Sequence, residues 1–175
     1  MGDKKTENLW ENEEFKEIFD EATLLQLGVY FFFGQDNIEE NFDKAIKIWR
    51  TCYKLYDSGE ACFFLGKAYS QDDEAVFYET SAKYYQLAVD RGGGEAYFPL
   101  GYMYFNGYGV ERDRGKALEL LEKSIREGDA DGMYFTAVLY SSGIGVKKNK
   151  KKAMKLLKKA SELGHVLATE ALKGE

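Results

Sequence analysis

Leu100-Gly101-Tyr102-Met103-Tyr104-Phe105-Asn106-Gly107-Tyr108-Gly109-Val110 returns 36 residues later as Thr136-Ala137-Val138-Leu139-Tyr140-Ser141-Ser142-Gly143-Ile144-Gly145-Val146. Laying Ala96–Asp131 over Gly132–Leu167 without a gap gives ten identities. They are Tyr104/Tyr140, Gly107/Gly143, Gly109/Gly145, Val110/Val146, Lys116/Lys152, Ala117/Ala153, Leu120/Leu156, Leu121/Leu157, Lys123/Lys159 and Gly128/Gly164. A fixed period of this length marks a chain built from stacked supersecondary units. The register continues backwards with decay: Ala45, Ser81, Ala117 and Ala153 are each 36 apart, and Gly28, Gly66, Gly101 and Ala137 form a second series.

Each unit reads as two helices. Helix A, such as Glu95–Asn106, ends at the Gly-x-Gly loop, because glycine takes the left-handed conformation that stops a helix. Helix B, such as Asp113–Glu127, carries Ala117, Leu120, Leu121, Ser124 and Ile125 at spacings of three and four, a helical stripe. Neither helix buries its face alone, so the units must stack. Gly101 and Ala117 are expected where the two helices of a unit cross closely. Pro99, the only proline, removes a backbone donor and predicts a late start or slight kink of its helix.

Composition narrows the function. The chain has 175 residues, a net charge of −6 and 45% hydrophobic residues, an ordinary globular balance. The net negative charge argues against general nucleic-acid binding. No apolar run approaches the length of a membrane span. The polar, acidic start shows no secretory signal, which points to the cytoplasm, with an exported mature form as the alternative. Gly107-x-Gly109 lacks the strand and third glycine of a dinucleotide loop, and Gly92-Gly93-Gly94 lacks the Lys-Ser/Thr of a phosphate loop. No cofactor is implied. His165 is the only histidine, follows Gly164 in a turn and reads as structural, so no metal site is expected.

The residues Leu100-Gly101-Tyr102-Met103-Tyr104, Gly107-Tyr108-Gly109-Val110, Lys116-Ala117 and Gly128 give the chain a pattern that resembles the Sel-one-like repeat family, a branch of the tetratricopeptide-like superfamily. The likeness covers Ala22 to Leu172 and is fuller in the last two units than in the first two. It implies an all-α, right-handed α-solenoid with helices A on its concave side. It also implies a non-catalytic adaptor for another protein or a peptide. On this reading residues 1–21 are a tail and capping helix (Glu11–Glu21), and 22–59, 60–94, 95–130 and 131–166 are the repeats. Residues 167–175 form a C-terminal cap.

Helix A carries two stripes. Leu24, Leu27, Phe31, Cys62, Leu65, Tyr69, Tyr97, Leu100, Tyr104, Met133, Thr136 and Tyr140 should face helix B. Leu25, Val29, Phe32, Phe63, Lys67, Ser70, Phe98, Tyr102, Phe105, Tyr134, Val138 and Ser141 fall where the resemblance puts the concave groove. Phe63, Lys67, Phe98, Tyr102, Phe105, Tyr134 and Val138 are the candidate protein-binding residues, since rigid aromatics suit interfaces. The competing reading packs these aromatics between neighbouring A helices. Cys52 and Cys62 read as buried thiols. The cysteine-rich secreted members of the family bridge such a pair, which makes a disulfide the alternative.

Charge is polarised: acidic residues crowd the start, and Lys147, Lys148, Lys150, Lys151, Lys152, Lys155, Lys158 and Lys159 crowd the end. These lysines read as a solvated face, a patch for an acidic partner or anionic surface, or one pole of a weak head-to-tail self-association. A scaffold is the leading function. A regulator or secreted effector acting on one enzyme or host protein is the alternative, and a weak hydrolase using Ser141 or Ser142 is a distant third.

Overall fold

The computed structural model describes residues 18–35, 39–71 and 75–173, without the side chains of Ala75 and Val76. Regular structure among these residues is helical, nine α-helices and one 3-10 turn. The chain divides into two units, Met1–Gly93 and Gly94–Glu175. The first holds α1 (Glu21–Phe33), α2 (Phe42–Tyr56), α3 (Gly59–Tyr69) and α4 (Ala75–Asp90). The second holds the 3-10 turn Gly94–Ala96, then α5 (Tyr97–Asn106), α6 (Arg114–Arg126), α7 (Ala130–Ser142), α8 (Lys150–Glu162) and α9 (Val166–Lys173). The pairs α1/α2, α3/α4, α5/α6 and α7/α8 each pack as helices A and B of a repeat, and α9 lies on α8.

The turn from A to B is built the same way in three repeats. The N-cap residue of helix B, Asn41, Asp113 or Asn149, donates its backbone N–H to the carbonyl of an aromatic in the last turn of helix A. The acceptors are Phe31 (2.7 Å), Tyr104 (2.9 Å) and Tyr140 (2.8 Å). The same N-cap side chain accepts from the backbone N–H of Lys44, Lys116 or Lys152. This satisfies a donor that the helix start leaves open. Each of those lysines then folds its ammonium over the aromatic it follows: Lys44 on Phe31, Lys116 on Tyr104 and Lys152 on Tyr140, 5.1, 4.1 and 4.2 Å from the ring centroids. Lys116 and Lys152 also donate to the tyrosine hydroxyls. The repeated Lys-Ala pair therefore does two jobs: its alanine lies in the helix crossing and its lysine locks the turn. The second repeat has Thr80 in place of the lysine, and Tyr69 instead stacks on Tyr84 and Phe77.

Within a repeat the small residue of helix A matches a large one on helix B. A methyl group at Gly28 would overlap the indole of Trp49. At Gly66 it would come within 2.7 Å of the Tyr85 ring. At Gly101 it would stand 3.3 Å from Leu120, Leu121 and the Ala117 carbonyl, a contact that a slight shift accommodates. In the fourth repeat Ala137 occupies this place, in one cluster with Leu157. Indole, phenol and isobutyl thus descend in size as the facing residue goes from obligate glycine to alanine. Trp49 is fully buried and donates its indole N–H to the Leu25 carbonyl at 3.2 Å. Ser81 is buried too, and its hydroxyl donates to the Gly66 carbonyl at 2.7 Å.

Several expectations meet the structure here. Helix α5 starts at Tyr97 after the 3-10 turn, the late start that Pro99 predicts. The capping helix Glu11–Glu21 lies mainly outside the described residues; where it is described, Ile18 is helical and Phe19 and Asp20 are not. Asp20 instead caps α1, accepting from the Thr23 N–H at 2.7 Å. The A-to-B loops of the first two repeats, at 36–38 and 72–74, also lie outside the described residues. Cys52 and Cys62 are free, fully buried thiols, so the bridge of the secreted relatives is not formed. Burial pushes the Cys52 thiol up to about 12 and the Cys62 thiol up to about 11.

Candidate interaction surface

The second unit gathers three aromatic rings around Phe135 of α7. Phe98, Tyr102 and Phe105 of α5 lie 6.0, 5.2 and 5.6 Å from it, centroid to centroid, in edge-on geometry. Such pairs add about 0.5–1.5 kcal/mol each beyond burial. Phe105 is 8% exposed and belongs to the core with Leu121 and Leu139, its ring covered by the Arg114 guanidinium and the backbone at Gly145. Phe105 is therefore a packing residue and lines no open face. Phe98 is half-buried against Phe135 and Tyr102.

Above this base stand side chains that the fold leaves open. Tyr102 is 38% exposed and Val138 is 38% exposed, and they hold the same place in consecutive A helices. Tyr108, from the Gly-x-Gly loop, is 40% exposed with its ring 5.9 Å from Tyr102. Ile144, its counterpart in the next loop, is half exposed. The surface is thus an apolar shelf on a rigid aromatic base, with no acidic side chain among these residues.

Tyr134 has another neighbour. Its ring stacks on the His165 imidazole, 4.4 Å between centroids. His165 Nδ1 accepts from the Ala168 N–H at 3.1 Å, and Nε2 lies 3.2 Å from an Asp131 carboxylate oxygen. The only histidine of the chain thus caps α9 and orients Tyr134. No group of three His, Cys, Asp or Glu side chains suited to a metal occurs among the described residues.

The first unit treats the stripe differently. Leu25 and Phe32 are buried in its core, together with Trp49. Phe63 packs on Phe64 and Tyr85, and Lys67 sits over the exposed Phe33 ring. Of the candidates, Phe63 and Lys67 are half-buried here, while Tyr102 and Val138 of the second unit stand open.

Two contacts lie outside either stripe. Phe135 holds the position two residues before the small residue of helix A; Phe64 holds the same position and stacks on Trp49 of the preceding repeat at 5.0 Å, 11° from parallel. An aromatic at this position packs a repeat against the one before it. The signal available in the sequence was an aromatic two residues before the small residue in two repeats, Phe64 before Gly66 and Phe135 before Ala137.

A helix-turn-helix array repeating every 36 residues defines a helical-repeat protein. A family model of the Sel1 repeat matches residues 23–51, 59–93, 94–129 and 130–165. The chain belongs to the Sel1 repeat family, whose members generally mediate protein–protein interactions. Similar solved structures agree in fold. A Sel1 repeat protein from Oxalobacter formigenes shares 22% identity, with a TM-score of 0.74 over 93% of this chain and 64% of that one. A protective antigen of uropathogenic Escherichia coli with an SLR fold shares 25% identity, with a TM-score of 0.68 over 85% of this chain and 32% of that one. The cysteine-rich protein B of Helicobacter pylori shares 28% identity, with a TM-score of 0.55 over 75% of this chain and 95% of that one. DAP3-binding cell death enhancer 1 of Rattus norvegicus is 35% identical over 75 residues; the match spans 14% of that relative.

Proposed function

We propose that the protein is a non-catalytic scaffold that binds a polypeptide on the A-helix face of its second unit. Tyr102, Tyr108 and Val138 make the contact, and Phe98, Phe105 and Phe135 hold them in place. The observation that carries this reading is the coincidence of exposure and rigidity: three large apolar side chains are held open on ordered helices and one short loop. Rigid aromatics lose little entropy on binding, which makes them favoured anchors. Tyr134, stacked on His165, supplies a flanking surface in this reading. The name of the rat relative, which records binding of another protein, supports a protein partner.

The chemistry of the remaining side chains supports the absence of catalysis. The Ser141 and Ser142 hydroxyls donate to the Val138 carbonyl, at 3.1 and 2.7 Å. The imidazole that could activate a serine caps α9 instead. No helix among the described residues is long and apolar enough to cross a membrane.

Capture from native lysate tests the proposal, comparing wild type with Tyr102→Ala/Val138→Ala. Both side chains are partly exposed, so the variant should keep its helical circular dichroism. The expected result is one or more proteins retained by wild type and lost from the variant. Equal retention by a folded variant would move binding off this face.

A further inference from the structure

The two B helices of the second unit share a fold and differ in charge. In α6 and the loop before it, Glu111, Glu119 and Glu122 alternate with Arg112, Arg114, Lys116, Lys123 and Arg126. Thirty-six residues on, the same three positions are Lys147, Lys155 and Lys158, and all six side chains are exposed. The segment 147–159 carries eight lysines and no acidic residue. Nothing in the fold calls for this, since α6 folds with glutamates in the same places and pairs Glu122 with Arg126. Like charges three and four apart weaken a helix, so α8 pays a small stability cost for its lysines.

The lysines also lack work inside the fold. Lys44, Lys67, Lys116, Lys123 and Lys152 each lie over an aromatic ring. Among the described residues, the ammonium groups of Lys147, Lys148, Lys155, Lys158 and Lys159 have no ion pair, side-chain hydrogen bond or aromatic partner. The inner face of α8, formed by Ala153, Leu156, Leu157 and Ala160, is buried. Lys151, Lys155 and Lys158 recur at four and three on the opposite side and make one cationic stripe.

We propose that this stripe of α8, with Lys147 and Lys148 at its head, docks an acidic segment of another polypeptide. Charge complementarity selects the class. A bilayer is disfavoured because a helix that lies in a membrane inserts its apolar face, and that face of α8 is committed to the core. A nucleic acid is disfavoured by the net charge of −6 and by the absence of arginine and aromatic side chains from the stripe. A run of carboxylates spaced by about one helical turn meets the lysines in register.

The test copies the third repeat into the fourth. Lys147→Glu/Lys155→Glu/Lys158→Glu restores residues that this fold already carries 36 positions earlier, and circular dichroism checks its helix content. The control, Lys47→Glu/Lys83→Glu/Lys173→Glu, has the same net charge and leaves the stripe intact. The probe is a fluorescein-labelled peptide alternating pairs of glutamate with serine, read by anisotropy at low salt. Wild type and control should bind it alike, and the α8 variant at least about tenfold more weakly, with wild-type binding falling as salt rises. Equal binding by the α8 variant overturns the proposal. Tighter α8-dependent binding of phosphatidylserine vesicles or of duplex DNA than of the peptide overturns the choice of partner. So does salt-sensitive self-association in sedimentation velocity that the peptide fails to compete away, which would seat a second copy on the stripe.

Discussion

At the scale of single residues the fold rests on matched sizes. Gly28→Ala and Gly66→Ala put a methyl group into the rings of Trp49 and Tyr85, and each should cost about 1–3 kcal/mol, or more where the ring has no room to move. Gly101→Ala meets only contacts of 3.3 Å and should cost well under either. Chemical denaturation followed by circular dichroism ranks the three. Trp49→Leu should lessen the cost of Gly28→Ala in a double-mutant cycle, because leucine already faces this position in the later repeats. Thr136 offers the opposite case. Its hydroxyl is buried with no hydrogen-bond partner, so Thr136→Val should be neutral or stabilise by about 1 kcal/mol in the same assay. The close crossing at Gly101 and Ala117 was legible in the sequence, because small residues recur in register. The pairing of Gly28 with Trp49 was not: it is a compensation between two positions, and a search for identities passes over it.

At the scale of the helix, start signals and packing partners were legible to different degrees. Helix B of the third repeat, expected over Asp113–Glu127, is observed at Arg114–Arg126 with Asp113 as its N-cap, and Asn149 caps α8 in the same way. Asn149→Ala removes the acceptor of the Lys152 N–H and should cost about 1 kcal/mol. Phe135 escaped the sequence reading because it lies between the two stripes drawn on helix A. Its contacts reach the preceding A helix, at separations that a search for one fixed offset does not sample. Phe105 fell on the outer stripe by periodicity, yet the Gly145 loop of the next repeat and Arg114 cover it. Phe105→Ala should therefore act on stability, by about 3–4 kcal/mol, before it acts on binding. Tyr102→Ala, at a partly exposed ring with one edge-on partner, should cost about 1 kcal/mol, well below Phe105→Ala.

At the scale of the whole chain the two units differ in charge and in buried titratable groups. Residues 1–93 carry a net −9 and residues 94–175 a net +3. Cys52, Cys62 and Tyr85 all lie in the first unit, and burial raises each, Tyr85 to about 12. These groups are neutral when protonated, and unfolding returns them to ordinary values of 9.0 and 10.0. The unfolded chain thus loses their protons first as pH rises, so their contribution to stability is full below about pH 9 and falls through pH 11 to 12. Trp49 is buried in the same unit. Tryptophan fluorescence in a denaturant series should show its midpoint falling between pH 8 and pH 10.5. Thiol alkylation at pH 8 should follow unfolding and not precede it.

The repeat architecture follows from periodicity, but the proposed binding surface follows from which aromatics the neighbouring repeat leaves uncovered. The most direct measurement of that surface is site-specific photocrosslinking in cells, with a benzophenone side chain placed at Tyr102 and, as the comparison, at Glu119 on the outer side of α6. The scaffold account predicts a discrete crosslinked polypeptide from position 102 and none from position 119. Crosslinks from 119 alone, or the same products from both positions, would contradict it.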